Sequence, residues 1–315
     1  MNGMENVIYE EGTYPSADGA SLVHYYVWRP AEREPKAVIQ LAHGMCEYVQ
    51  RYDAWARLFC AAGYAFCGND HLGHGHTAKD EDGLGYTHPR KGAAYMVEDL
   101  HTLTTILKKT FAGVPVVLYG HSMGSFAARA YLTRYGEEIA AAIISGTAGA
   151  GMPTGLGKLL AHTMARVRGE HHRSKMMASI AFGSYNKRFA DEQDHASWLT
   201  REAEVRKKYR EDPFSHYLFT LAGYDTLFSL LQEVSKRDWA QKVPKTLPVL
   251  VLSGDMDPVG NYGKGPRQVY ERLVDAGCTH ARLKLYEGGR HEMHNETNRD
   301  EVFADLVAYL EEVLA

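Results

Sequence analysis

The pentapeptide Gly120-His121-Ser122-Met123-Gly124 constrains the fold of this chain most, because of what stands on either side of it. Before it runs the apolar segment Val114-Pro115-Val116-Val117-Leu118-Tyr119, which reads as a buried strand. After it comes the alanine-rich stretch Ser125–Tyr135, which reads as a helix. A G-x-S-x-G string alone is common by chance. Between a strand and a helix it describes a sharp turn that stands the serine hydroxyl above a sheet, with glycines letting neighbouring backbone approach. The new helix aims its positive end at the same spot. Ser122 is therefore the candidate nucleophile.

The rest of the chain supplies the sheet. Leu22–Arg29 alternates up to Pro30 and reads as an edge strand, while Ala37–Ala42, Tyr64–Cys67, Ile139–Ser145 and Leu247–Leu252 read as buried strands and Ala281–Tyr286 as a further strand. Helical spacing of apolar residues marks Asp53–Ala62, Gly92–Thr110, Arg267–Ala276 and Glu301–Leu314. Strands interleaved with helices predict an α/β fold with a mostly parallel central sheet and helices on both faces. The alternation stops between residues 148 and 242, where only helical fragments remain, broken by Gly151-Met152-Pro153, Gly183 and Asp212-Pro213. That segment carries 15 Lys and Arg against 11 Asp and Glu, in a chain whose net charge is −4. The expected organisation is a core of residues 1–147 and 243–315, split by a helical cap insertion at 148–242.

Net charge of −4 and the lack of a long basic run give no general attraction to nucleic acid. The four cysteines, Cys46, Cys60, Cys67 and Cys278, show no paired C-x-x-C spacing and read as buried thiols in a reducing compartment. Met1–Glu11 has no secretory n-region and h-region, and no apolar stretch approaches a membrane-spanning length of about 18 residues. A cytoplasmic location is the expectation.

A serine hydroxyl needs a base to take its proton, and the base needs an acid to orient it. On a sheet of this kind both come later in the chain, in loops after late strands. Leu247–Leu252 leads into Ser253-Gly254-Asp255-Met256-Asp257-Pro258, and Ala281–Tyr286 into Glu287-Gly288-Gly289-Arg290-His291. His291 is the candidate base; its ordinary alternative is a surface histidine in a polar loop. Asp257, deeper in its loop and held extended by Pro258, is favoured as the acid. Asp255, directly after a glycine, fits a turn residue bonding its own backbone and stays the competing choice. The oxyanion formed on attack needs donors: the backbone N–H of Met123, and that of Met45 in the loop after Ala37–Ala42.

Two other clusters carry less. Asp70-His71-Leu72-Gly73-His74-Gly75-His76 lacks the further ligands of a zinc site. His291-Glu292-Met293-His294 lacks the histidine spacing of a zinc-protease helix, since position 295 is Asn. No metal and no cofactor are expected.

Taken together, four stretches resemble one family, the monoacylglycerol lipases and lysophospholipases of the α/β-hydrolase fold, grouped with the serine aminopeptidases. They are His43-Gly44-Met45-Cys46-Glu47 with Arg51-Tyr52, Asp70 to Gly75, Gly120 to Gly124, and Tyr286-Glu287-Gly288-Gly289-Arg290-His291-Glu292. The resemblance spans roughly residues 20–148 and 243–314 and matches Asp257 to the family's acid. Ser125 departs from it, standing where the family often has a second glycine. The resemblance implies a cofactor-free serine esterase acting on monoacylglycerols or related single-chain lipids through Ser122, Asp257 and His291, with the insertion as a cap controlling acyl access. In that cap, Leu156, Leu159, Leu160, Thr163, Met164 and Val167 fall on one helix face near Lys158, Arg166 and Arg168. That face reads first as packed on the core, and second as a contact for a lipid surface. The alternatives are an acyltransferase, an aminopeptidase with an ammonium subsite for which Glu170, Asp191 and Asp194 are candidates by location, and a non-catalytic binding protein.

Overall fold

Eight strands form one sheet in the order β1-β2-β4-β3-β5-β6-β7-β8. The computed structural model describes residues 6–151, 154–192 and 194–315, with the side chains of Ala190 and Asp191 outside that description. Met152 and Pro153, part of the sequence break read at Gly151-Met152-Pro153, also lie outside it. The strands are β1 (Val7–Pro15), β2 (Leu22–Pro30), β3 (Val38–Ala42), β4 (Ala65–Asn69), β5 (Val116–His121), β6 (Ala141–Ser145), β7 (Val249–Gly254) and β8 (Ala281–Tyr286). β1–β2 and β2–β4 pair antiparallel; every other pairing is parallel.

The sheet is buried on both faces because alternate residues of each central strand enter different cores. On β5, Val116 and Leu118 join the core beneath α2 (Gly92–Thr110), α3 (Met123–Tyr135) and α8 (Lys264–Asp275). Val117 and Tyr119 join the opposite core, beneath α1 (Asp53–Ala61) and α9 (Arg299–Val313). All four cysteines are buried and unpaired.

One reading needs correction. Leu22–Arg29 is not the sheet edge, because β1 pairs outside it along its whole length, from Val7↔Pro30 to Pro15↔Leu22. β1 hid because an edge strand needs no apolar face: only Tyr14 is buried within it, and Glu10 and Glu11 stand side by side. Such charges also keep an open edge from pairing with other chains.

Between β6 and β7 lie α4 (Thr154–Arg168), α5 (Lys175–Phe182), α6 (Ala203–Glu211) and α7 (Leu221–Ser235). The only extended pairing in that segment, among the described residues, is an isolated bridge between Arg173 and Thr220. α7 is as buried as a core helix, with Leu221, Tyr224, Leu227, Leu230 and Val234 in the larger core. No described helix is long and apolar enough to cross a membrane.

Candidate active site

Ser122 sits between β5 and α3 with φ 53° and ψ −122°, a backbone region that costs a non-glycine residue about 1–3 kcal/mol. The strain is held by neighbours. Ser122 N–H donates to the Ser145 carbonyl at 3.0 Å, tying the turn to the end of β6. A Cβ on Gly124 would lie 1.9 Å from the Ala42 carbonyl oxygen, so only glycine lets α3 start this close to β3. As the first residue of α3, Met123 has an N–H with no partner inside the helix.

The loops after β7 and β8 bring Asp257 and His291 together. His291 Nδ1 lies 2.9 Å from Asp257 Oδ2, and both side chains are buried. The carboxylate also accepts from Val259 N–H at 2.8 Å and the Ser253 hydroxyl at 3.2 Å. With Asp257 accepting at Nδ1, the proton sits there and Nε2 is left with a free lone pair. Asp255 is occupied elsewhere: its Oδ1 accepts from Gly288 N–H at 2.8 Å, bracing the β7 loop on the β8 loop. Gly146 makes room for the imidazole, since a Cβ there would stand 3.0 Å from His291 Cε1.

Ser122, His291, Met45 and Met123 all line one cavity of about 260 Å³. Its wall carries the apolar side chains of Phe182, Trp198, Leu199, Phe219, Leu227 and Phe228 together with polar ones that include Asn186, His195 and His216. A hydroxyl, an imidazole braced by a carboxylate, and amides at a helix start can together support acyl transfer. The sequence of residues 33–298 matches the model of the family described as serine aminopeptidase, S33.

The chain belongs to this family.

It is 31% identical over 304 residues to the monoacylglycerol lipase of Mycolicibacterium smegmatis, covering 95% of this chain and 96% of that one. It is 29% identical to the human monoglyceride lipase, covering 89% of this chain and 83% of the other. Among solved structures, a thermostable carboxyl esterase from Bacillus coagulans in complex with glycerol superposes with TM-score 0.90 at 28% identity, over 98% of this chain and 99% of that one. The sheet and its helices are the α/β-hydrolase fold.

Within this serine aminopeptidase S33 member, the loop that carries Met45 is fixed by side chains that sequence reading left without a role. The Gly44 N–H and the Tyr52 hydroxyl both donate to Glu47 Oε1. Arg51 donates to Glu47 Oε2 at 2.7 Å and to both oxygens of Glu292 at 3.0 Å. On the other side, His71 N–H donates to His43 Nε2 at 3.0 Å, so His43 carries its proton on Nδ1 and donates it to the Gly44 carbonyl at 2.8 Å. Burial raises the Glu47 carboxyl; Arg51 opposes the rise and Glu292 adds to it, leaving Glu47 above the ordinary carboxylate range. Burial also acts on Glu292, but Arg51 outweighs it and holds that carboxyl low. Side chains as well as backbone therefore hold the loop around Met45. The available signal was the i, i+4 spacing of Glu47 and Arg51.

The histidine-rich turn serves the backbone. Asp70 accepts from Val49 N–H at 2.9 Å and His76 N–H at 2.8 Å, and the histidine beside it braces His43. No group of three or more His, Cys, Asp or Glu among the described residues is arranged to hold a metal ion.

Burial pulls the His291 pKa down, but the charge and hydrogen bond of Asp257, with the charges of Glu292 and Glu47, outweigh it and leave it above 6.5. An imidazole acting on Ser122 must be neutral to take its proton. The rate therefore rises with pH through this raised pKa, and the acid limb of kcat/KM is centred above 6.5. Asp257→Asn shifts that midpoint downward. A pH–rate profile of both proteins measures it, and a wild-type limb centred below 6.5 contradicts the assignment.

Proposed function

We propose that this carboxylic-ester hydrolase acts on monoacylglycerols and related single-chain lipids, with Ser122, Asp257 and His291 as its triad. The observation that carries the reading is that Ser122 and His291 line the same cavity as Phe182, Leu199, Phe219, Leu227 and Phe228, side chains suited to an acyl chain. Ser122 attacks the ester carbonyl as His291 Nε2 accepts the hydroxyl proton. The N–H groups of Met45 and Met123 receive the oxyanion, each worth about 3 kcal/mol in the transition state. His291 then protonates the leaving alcohol, and a water activated by the same imidazole releases the acid. Asp257 keeps the ring in the correct tautomer and stabilises the imidazolium.

An aminopeptidase needs a free carboxylate facing the substrate's ammonium. Among the described residues, Glu47 and Glu292 are the carboxylates lining the cavity, and both are taken up by Arg51 rather than left free for an ammonium. Asp194 is held by Arg206 at 2.9 Å and Arg210 at 2.6 Å, and Glu170 lines a separate cleft beside His162 and Arg166. The Asp191 side chain is outside the described residues. Rates on monoacylglycerols, lysophospholipids, short esters and amino-acid amides test the proposal. Monoacylglycerols are to be turned over fastest, and preferential cleavage of the amides ends it.

The segment 148–242 is proposed to cap this cavity and to meet the lipid phase. The helix face read from sequence divides in two. Leu160 and Met164 turn inward onto the core with Ala161, whereas Leu156 and Val167 are 68% and 82% exposed. Leu159 of α4 and Met176 and Ile180 of α5 are exposed as well, and α5 ends at Phe182 in the cavity wall. Apolar side chains beside Lys158, Arg166 and Lys175 suit shallow insertion among lipid headgroups. Replacing Leu156, Leu159 and Ile180 together with serine lowers turnover of micellar lipid about tenfold while leaving a soluble short-chain ester within about twofold, as loss of some buried apolar area predicts. Equal losses on both substrates remove the lipid-contact proposal.

A further inference from the structure

Trp198 belongs to the insertion, between α5 and α6, yet it meets His291 twice. Its carbonyl accepts from His291 N–H at 3.4 Å, and the carbonyl of Leu199 accepts from Glu292 N–H at 2.7 Å. Its indole then lies against the imidazole, with ring centres 5.0 Å apart and planes tilted by 39°. Two backbone bonds and a ring contact thus join one stretch of the insertion to the loop after β8.

That stretch is fixed on both sides. Arg290 donates to the Ser197 carbonyl at 2.6 Å and to Glu192 at 3.0 Å, and the Thr200 hydroxyl donates to the Asn295 carbonyl at 2.8 Å. The fully buried Glu296 accepts from Arg201 Nε at 2.8 Å and from Arg290 N–H at 3.0 Å. Trp198 N–H donates to Asn186 Oδ1 at 3.0 Å, and the Tyr185 ring meets the indole edge to face at 5.1 Å. The indole is therefore in place before charge develops beside it, and no reorganisation is needed at that moment.

The reaction puts a charge there. As the Ser122 oxygen bonds to the ester carbon, its proton passes to His291 Nε2 and the ring becomes an imidazolium. His291 is 2% exposed, so little water reaches that cation. Asp257 meets it at Nδ1. Among the described residues, Glu47 and Glu292 also face it, with Arg51 between them. His121 of β5 and His294 lie close by, and burial holds both well below the usual histidine range, hence neutral. From the insertion comes Tyr185, whose hydroxyl burial and the Asp257 charge push up. An aromatic face attracts a cation within about 6 Å of its centre, and the indole does so most strongly.

We propose that Trp198 is a positioning residue for the base: its carbonyl holds the His291 backbone, and its indole stabilises the imidazolium formed when Ser122 loses its proton. It acts on His291, not on the reacting ester atoms. The proposal rests on the reading of Ser122 as nucleophile and His291 as base, and it gives the insertion a share in the chemistry besides access to the cavity.

The experiment replaces Trp198 site-specifically with mono-, di- and trifluorinated tryptophans and compares Trp198→Phe and Trp198→Leu, all on a soluble short-chain ester. Fluorine draws electron density from the ring face and leaves its shape almost unchanged. The pH profile of kcat/KM reports the base in the free enzyme. An aromatic face beside a cation is worth about twofold to thirtyfold in an equilibrium constant, which places full loss of the face at about 0.3 to 1.5 pH units. The fluorinated series is to move the acid-limb midpoint down step by step and to lower kcat on the alkaline plateau with it, while KM stays within about twofold. Trp198→Leu is to show the largest drop in both, and Trp198→Phe is to recover part of it. Thermal melts follow folding; should Trp198→Leu fail to fold, the fluorinated series decides, since it keeps the packing. A midpoint that stays or rises across that series overturns the proposal, as do equal losses in folded Phe and Leu variants. Fluorophosphonate labelling separates the two levels. A wild-type Ser122 that labels normally, with an unmoved midpoint in the series, sinks the role of Trp198 alone; one that does not label sinks the site reading and this proposal with it.

Discussion

Replacing Ser122 with alanine lowers ester turnover by about five to six orders of magnitude while the protein stays folded, the scale set by nucleophile removal in serine hydrolases. The loss is large because no neighbouring group can substitute. On the proposed assignment His291 still polarises water and Met45 and Met123 still offer N–H groups to an oxyanion, but no acyl-enzyme forms. Stability is expected to change little, and in the favourable direction if at all. The serine occupies a turn at φ 53°, which alanine must also adopt, yet it gives up no side-chain hydrogen bond that the fold needs. Steady-state rates with circular dichroism and a thermal melt read both quantities. Turnover within tenfold of wild type would remove Ser122 from the chemistry.

Asp257→Asn comes next in size, at about 10⁴-fold in kcat with the geometry nearly intact. An asparagine there presents an amide that favours the wrong imidazole tautomer and leaves a developing imidazolium without a counter-charge. The contrast with its neighbour is the sharper test. Asp255→Asn removes only part of a bond to Gly288 N–H, at the surface between two loops, and leaves kcat within a few-fold. Kinetics on the two variants, two residues apart, decide which carboxylate serves His291. Equal losses, or a larger loss at Asp255, would reverse the assignment.

Much of the architecture was readable because the central strands are buried on both faces and so appear as short unbroken apolar runs. The elbow was readable because its glycines and serine are contiguous. The loop holding Asp257 was readable because it follows such a run and that holding His291 because it follows the alternating strand Ala281–Tyr286, and the distance between those two side chains then bears on a pairing proposed from order alone. What escaped reading has a common cause. β1 carries charge where an interior strand would carry valine, since one of its sides faces water. Glu292 finds Arg51 across 241 positions of sequence, and no local pattern encodes that meeting. Ser125 looks like a small packing residue in a helix until Thr147 is brought to its hydroxyl by the loop after β6. On α4, helical period alone could not tell that Leu160 faces in while Leu156 faces out, because the choice depends on where α7 lies.

α7 belongs to the insertion by sequence order and to the interior by packing. Its last turn is gripped by Arg129, and Arg272 donates to the Ser235 carbonyl at 3.0 Å. A segment soldered down at its returning end cannot swing away as one rigid door. If the proposed acyl substrate enters through this segment, the path is left to α4 and α5, the helices whose apolar side chains stand in solvent.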